Sequence, residues 1–504
     1  MNGLATHLPI LPVLLPLVAG IVLLALRNAP LALQRGISLV ATAALIPLAL
    51  ALLASAADGT QLVYKLGNWD APFGIVLVAD RLAAWMLTAT ALVALFALLH
   101  ALRGDDVKGR HFHMLYQLQL FGLNGAFLTG DLFNLFVFFE ILLLASYALL
   151  LHGGGRLRVK AGLHFVVINL VGSTLFLFAV GTLYGVTGTL NMADLAVKLA
   201  LTAPDNLALV ETAGLLLFGV FALKAALLPL HLWLPAAYAH TITPVAALFA
   251  IMTKVGAYSI LRVSSLMFGG DGGAVANLLA GWLMPLALAT LVAGMLGAVA
   301  ATALRQQIAY LVIASVGTLL AAFALNSVDG IAAGLYYLPH TTLATAACFL
   351  LADPIARARG EYADRFEPGQ TMPGAPLLGT LFFAAAIAMT GLPPLSGFLG
   401  KFMLLRAALE SPWLVWIGSV VLVTGLVGVI ALARSGSLLF YRTHSTGEVL
   451  PALRMTEWLP AAGLLLLGLG MTIWAGPLAH YANATAAQLL DPQGYIDAVL
   501  GDRQ

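Results

Sequence analysis

The sequence predicts an all-α polytopic membrane fold of about fourteen transmembrane helices, and three observations carry that prediction. The 504 residues are 61% hydrophobic and 9% charged, whereas a soluble domain carries roughly 25% charged residues. Apolar runs of spanning length, about 20 residues, recur along the whole chain. The runs are continuously apolar, whereas the strands of a membrane β-barrel alternate over about 10 residues. Lysine and arginine total 24 against 22 acids, so no basic stripe for nucleic acid and no charged tail is present. The single cysteine, Cys348, excludes a disulfide framework, a CxxC redox pair and a cysteine-based zinc or iron–sulfur site within the chain. No GxxxxGK[ST] phosphate loop occurs, and no cofactor is expected.

In chain order the runs fall at about 8–26, 34–56, 77–101, 112–129, 131–151, 162–187, 209–230, 244–266, 274–300, 306–325, 330–352, 376–409, 413–434 and 457–476. The first has no basic leader and no small-residue cleavage site, so it reads as a span. Residues 1–110 hold helices 1–3, 111–266 helices 4–8 and 267–434 helices 9–13. Residues 435–504 add a loop, helix 14 and a tail. Fifteen Lys and Arg follow odd-numbered spans, among them Arg156, Arg158 and Lys160, against five on the other side. That asymmetry puts the odd loops in the cytoplasm and both termini on the outer face of a bacterial plasma membrane. The Gly153-Gly154-Gly155 run between spans reads as a flexible turn.

An ionisable side chain at the bilayer centre costs about 2.5–3.5 kcal/mol on insertion scales. Glu140 is the one acid squarely inside a span, within Phe138-Phe139-Glu140-Ile141. Lys224, Lys254 and Lys401 are bases inside spans, and His340 follows Pro339 in the eleventh. Snorkelling explains a lysine within a turn of an interface, but not Lys224 or Glu140, which have apolar residues on both sides. Together they read as a polar path through the membrane. His164, in the sixth span, and His231, beside the short amphipathic stretch ending at Pro235, are auxiliary candidates.

Two spans carry deep helix breakers. The seventh has Lys224 followed by Pro229 and Pro235; the twelfth reads Thr390-Gly391-Leu392-Pro393-Pro394, with Lys401 beyond. Proline removes a backbone donor and clashes with the preceding turn. Freed backbone at membrane depth is tolerated where it is buried in protein or lines a wet cavity, so Pro229, Pro393 and Pro394 are expected to line the path. Pro339 marks a third candidate break. The two breaks lie five spans apart, and an odd offset makes the second repeat inverted relative to the first. Lys224 and Lys401 then occupy corresponding places, while the acid Glu140 has only Ala314-Ser315 opposite it in the tenth span.

Burial disfavours the charged form, and a neighbouring opposite charge restores it. A lysine alternating between an acid partner and solitude therefore holds and releases a proton. Glu140 paired with Lys224 holds it; separating them sends it toward Lys254, His340 and Lys401. Histidine suits the central transfer because its unperturbed pKa, about 6.5, lies near physiological pH.

At these residues the chain resembles the antiporter-like family shared by respiratory complex I and the multisubunit Mrp (Pha) cation/proton antiporters. The likeness covers nearly the whole chain. Two stretches, Gly130-Asp131-Leu132-Phe133-Asn134 running on to Glu140, and Asn68-Trp69-Asp70-Ala71-Pro72 running on to Asp80-Arg81, are similar to the D subunits of the Mrp group. The resemblance implies that Glu140 and Lys224 form a coupling ion pair, Lys254 the relay beside it, His340 the central link and Lys401 the terminal exchange site. Thr345 departs from the pattern, standing where many members place a lysine, so water would have to serve there.

The function expected is proton translocation within a multisubunit Na+ or K+/proton antiporter, with the other subunits, the ions and the lipid bilayer as partners. The same-class alternative is a proton-pumping subunit of complex I or a membrane hydrogenase. A polytopic enzyme on lipid-linked substrates would need interfacial acids, of which Asp131 is a lone example. No carboxylate cluster marks a cation or metal site.

Overall fold

The computed structural model describes residues 6–444 and 453–501, so the middle of the 435–456 loop lies outside the described residues. The chain opens with α1 (Leu11–Ala25) and α2 (Leu31–Ser55), followed by an antiparallel hairpin, β1 (Leu62–Lys65) with β2 (Val76–Ala79). The core then begins with α3 (Arg81–Ala101), α4 (Phe112–Leu128), α5 (Leu132–Leu151) and α6 (Arg156–Thr187). Asp80 and Asp131 start α3 and α5 by accepting from the third backbone N–H beyond them, each at 2.8 Å. A short helix, α7 (Met192–Ala200), precedes α8 (Pro204–Ala225), α9 (Trp233–His240), α10 (Thr243–Phe249) and α11 (Met252–Leu266).

The second half comprises α12 (Leu283–Ala300), α13 (Leu304–Ala324), α14 (Val328–Ala358), α15 (Ala375–Thr390), α16 (Ser396–Ala407) and α17 (Leu414–Gly436). It closes with α18 (Met455–Ile473), α19 (Ala475–Leu490) and α20 (Gln493–Leu500). A two-residue parallel pairing joins β3 (Gly369–Gln370) to β4 (Thr443–His444). Among the described residues, twelve helices are long and apolar enough to cross a membrane. Two expected spans fall outside that set: α4, with 17 residues, and the pair α15 and α16, which a break divides. The α10–α11 segment, α13 and α14 are almost wholly enclosed, whereas most residues of α6, α17 and α18 are at least partly exposed.

Both proline-marked breaks occur. The first helix of the seventh span ends at Ala225, and Ala226 turns the chain with a φ of 59°. In the twelfth, Gly391 turns it with a φ of 74°. Pro339 makes no break: α14 runs 31 residues straight through it. The enclosing helices hold that segment helical on every side, and tertiary packing overrides the local penalty. Conversely, the eighth span is interrupted without a proline. Ala250 and Ile251 bond three residues back, to Ala247 and Leu248, so a tightened turn separates α10 from α11 just before Lys254. Lys224 and Lys401 do not occupy corresponding places. Lys224 closes the last turn before its break, and Lys401 lies in the helix after its own.

Candidate functional site

Three helices converge at the acid. Glu140 on α5 is half-buried and accepts a hydrogen bond from Ser173 on α6. One turn earlier on α6, Asn169 Oδ1 accepts from Lys224 Nζ at 3.1 Å. Lys224 is buried, with its ammonium 5.9 Å from the centre of the Phe139 ring. The expected Glu140–Lys224 ion pair is therefore not a direct contact; α6 supplies a polar group to each of the two. Residues spaced by four share a helix face, which is why Asn169 and Ser173 can do this together.

Lys254 follows within the fold, fully buried. Its Nζ donates to Ser315 Oγ at 3.2 Å and lies 3.4 Å from its neighbour Thr253 Oγ1. Gly256 brings its helix to the end of α8: a Cβ there would sit 2.4 Å from Ala225 N and 2.8 Å from Lys224 C. Ser315, in the stretch set opposite Glu140 in the tenth span, is thus the partner of a buried ammonium.

One turn beyond Ser315 on α13 is Thr318, and the Tyr337 hydroxyl on α14 lies near both Thr318 and Thr341. The Tyr337 ring lies 5.7 Å from that of His340. His340, buried, contacts Ser396 Oγ through Nδ1 at 2.8 Å and Ala388 O through Nε2 at 3.1 Å. Lys401 Nζ donates to Thr390 O at 2.8 Å, at the carbonyl end of α15. Each of these groups is thus met by a neutral side chain or a carbonyl, and all three lysines and the histidine lack a direct acidic contact among the described residues.

The remaining candidates stand apart. Pro229, Pro393 and Pro394 are exposed at their turns. At the first break Leu223 O accepts from Trp233 Nε1 at 3.1 Å. His164 is exposed on α6. His231 sits half-buried in the turn after α8. Thr345 is buried with its hydroxyl 3.7 Å from Met389 Sδ, so it meets a thioether and no relay group.

Two further charged clusters are buried. Asp80 pairs with Arg262 at 2.7 Å, with the Tyr258 and Tyr495 rings 5.6 and 5.3 Å from the guanidinium carbon. This gives the Asp80-Arg81 stretch the chemistry its sequence did not reveal: it ties α3, α11 and α20 together. At the other end of α3, His100, Asp105 and Asp353 bring potential ligand atoms within 4.8 Å of one another. Arg103 fills that space, 2.8 Å from His100 Nε2 and 3.1 Å from Asp353 Oδ2, so a guanidinium takes the place of a metal. Nearby, burial would raise Asp106, but hydrogen bonds from His113 and Arg35 outweigh it and hold the carboxyl at about 2.

Many apolar helices, interrupted at membrane depth and carrying one acid, three lysines and a histidine inward, define a membrane protein of the ion-translocating class. The family described as NADH:quinone oxidoreductase/Mrp antiporter, TM matches residues 129–427, and the chain belongs to that family. It is 42% identical to the probable K(+)/H(+) antiporter D subunit of Rhizobium meliloti, over 99% of this chain and 98% of that one. It is 36% identical to the Na(+)/H(+) antiporter D subunit of Alkalihalophilus pseudofirmus, over 98% and 99%. Its fold is similar to a chain of the Mrp complex from Dietzia sp., with a TM-score of 0.87 and 29% identity over 99% and 100%.

Proposed function

We propose that this chain is the proton-translocating subunit of a multisubunit Na+ or K+/proton antiporter, acting in a bacterial plasma membrane as a transporter and not as an enzyme. The observation that carries the reading is the string of titratable groups, buried or half-buried, held by neutral partners. Glu140 with Ser173, Lys224 with Asn169, Lys254 with Ser315, His340 with Ser396 and Lys401 with the Thr390 carbonyl follow one another along the fold. A permanent counter-ion would fix each charge; a neutral polar partner accepts either protonation state and lets a proton move on. In this reading Tyr337 and Thr318 bridge Lys254 to His340, the role that Thr345 leaves open.

The relay runs across two inverted repeats, 111–266 and 267–434, with both chain termini on the outer face. Lys224 gains its proton when the Glu140 charge is near and loses it toward Lys254 when that charge is screened. Glu140 is half-buried on a face that also exposes Phe133 and Leu144, so a neighbouring subunit shields it from lipid. Such a partner supplies the cation site. The relatives' names differ in the cation, K+ for one and Na+ for the other, and the exchanged ion here is a monovalent cation of that kind.

The test is cation-driven proton flux in everted vesicles lacking their own antiporters, with the complete set of subunits and with this chain alone. Flux from the set and none from the chain alone is expected. Flux from the chain alone overturns the need for partners, and co-purification with flavin or iron–sulfur proteins redirects the reading to a respiratory complex.

A further inference from the structure

We propose that Ser396 is a positioning residue that sets how tightly His340 holds its proton, by passing one hydroxyl hydrogen between His340 and the Gly468 carbonyl. The inference rests on the relay reading above and adds a residue to it. Three contacts meet at this point: His340 Nδ1 to Ser396 Oγ at 2.8 Å, Ser396 Oγ to Gly468 O at 3.1 Å, and His340 Nε2 to Ala388 O at 3.1 Å. Carbonyls contribute no hydrogen, so the three contacts need three hydrogens from the imidazole and the hydroxyl.

A neutral imidazole and a hydroxyl carry only two. If Nε2–H donates to Ala388 O and the hydroxyl to Nδ1, then Ser396 Oγ faces Gly468 O with no hydrogen between them. In the other tautomer Nδ1–H donates to Ser396 and the hydroxyl to Gly468 O, but bare Nε2 faces a carbonyl. The imidazolium satisfies all three at once. From the Nε2–H tautomer, protonating His340 at Nδ1 therefore rotates the Ser396 hydroxyl off the ring and onto the Gly468 carbonyl of α18.

The surroundings hold this geometry in place. Gly397 lies against the ring, where a Cβ would come within 2.6 Å of His340 Nε2 and 2.4 Å of Ala388 O. The charged group facing His340 from α16 is Lys401, and the titratable neighbour on its own helix is Tyr337. Ala388 on α15 and Gly468 on α18 bring only carbonyls. A cavity of about 280 Å³ adjoins His340, Ala388, Ser396 and Gly468, which leaves room for one added methyl group.

In Ser396→Ala the imidazolium loses a charge-assisted Nδ1–H···Oγ bond, whereas the neutral ring loses only a neutral hydrogen bond, so protonation is disfavoured by the difference between the two. The experiment is the pH profile of cation-driven proton flux in vesicles carrying the complete complex, with wild type, Ser396→Ala, Ser396→Thr and His340→Gln. The profile of Ser396→Ala should move about one pH unit toward acid. Ser396→Thr, which keeps the hydroxyl, should match wild type. Equal loss at every pH in Ser396→Ala, or an alanine-like shift in Ser396→Thr, overturns the assignment. Should Ser396→Ala not assemble, Ser396→Cys keeps a weaker donor and should shift the same way by less; an unmoved profile there overturns it too. Wild-type flux in His340→Gln would instead overturn the relay reading, which separates the two failures.

Discussion

Glu140 and Lys224 are joined through two consecutive turns of α6, with Ser173 donating to the acid and Asn169 accepting from the base. The arrangement lets the acid influence the ammonium without locking to it. A direct buried pair would be hard to separate, since breaking one leaves an uncompensated charge at a cost of about 3–5 kcal/mol. Asn169→Leu should therefore cut cation-driven proton flux at least tenfold while the protein still inserts. Glu140→Gln combined with Lys224→Gln should cost less than the sum of the two single changes, because the residues act as one unit. Additive losses would show the charges to be independent.

Gly256 gives a test of the contact between α11 and α8. Its hydrogen faces the Ala225 amide, and a Cβ would lie 2.4 Å from that nitrogen. Gly256→Ala should lower thermal stability by about 1–3 kcal/mol through forced backbone movement, and should displace Lys254 from Lys224. Gly219→Ala, on α8 with nothing within 4 Å, is the control and should leave the melting midpoint in place. Equal midpoints for the two variants would mean that the helices are free to separate.

How much of this was legible in the sequence follows from what each residue type costs. The membrane-spanning helices and the five titratable groups stood out because apolar length and buried charge are extreme properties of a composition. The partners did not stand out. Asn169, Ser173, Ser315, Thr318 and Ser396 are inexpensive in a helix, and only the fold brings them to a charge. Asn169 and Ser173, spaced by one turn on the sixth span, were the one readable signal. Breaks were legible where proline caused them, and the Ala250–Ile251 turn was not, since no residue type there announces it. The short helix α7 fell between spans, α20 after the last one, and the β1–β2 hairpin at the edge of the third, where apolar periodicity says little.

Asp106 provides a prediction about stability and pH outside the membrane-spanning segments. Burial pushes its carboxyl up, but His113 and Arg35 hold it down at about 2, below the roughly 3.9 of an unfolded chain. A lowered folded value means stability that is complete above the unfolded value and lost as pH falls from about 4 toward 2. Asp106→Asn should lower the melting midpoint at pH 7 and flatten the acid limb of midpoint against pH. A variant as steep as wild type in that limb would place the acid sensitivity elsewhere.

Lys401 admits two roles with opposite outcomes. Its ammonium donates at 2.8 Å to the last carbonyl of α15, where a fixed positive charge stabilises the negative end of a helix dipole. A capping cation needs only its charge; a terminal exchange site needs to give its proton away. Lys401→Arg separates them, because a guanidinium keeps its charge, reaches the same carbonyl and does not deprotonate in proteins. Lys401→Ala removes both properties. If Lys401 exchanges protons, both variants should lose flux by tenfold or more, while the arginine variant keeps the wild-type melting midpoint and the alanine variant falls below it. If Lys401 is a cap alone, the arginine variant should transport normally. Flux and melting midpoint measured on the same complex therefore decide between the roles, since only a site that releases its proton separates the two readouts in the arginine variant.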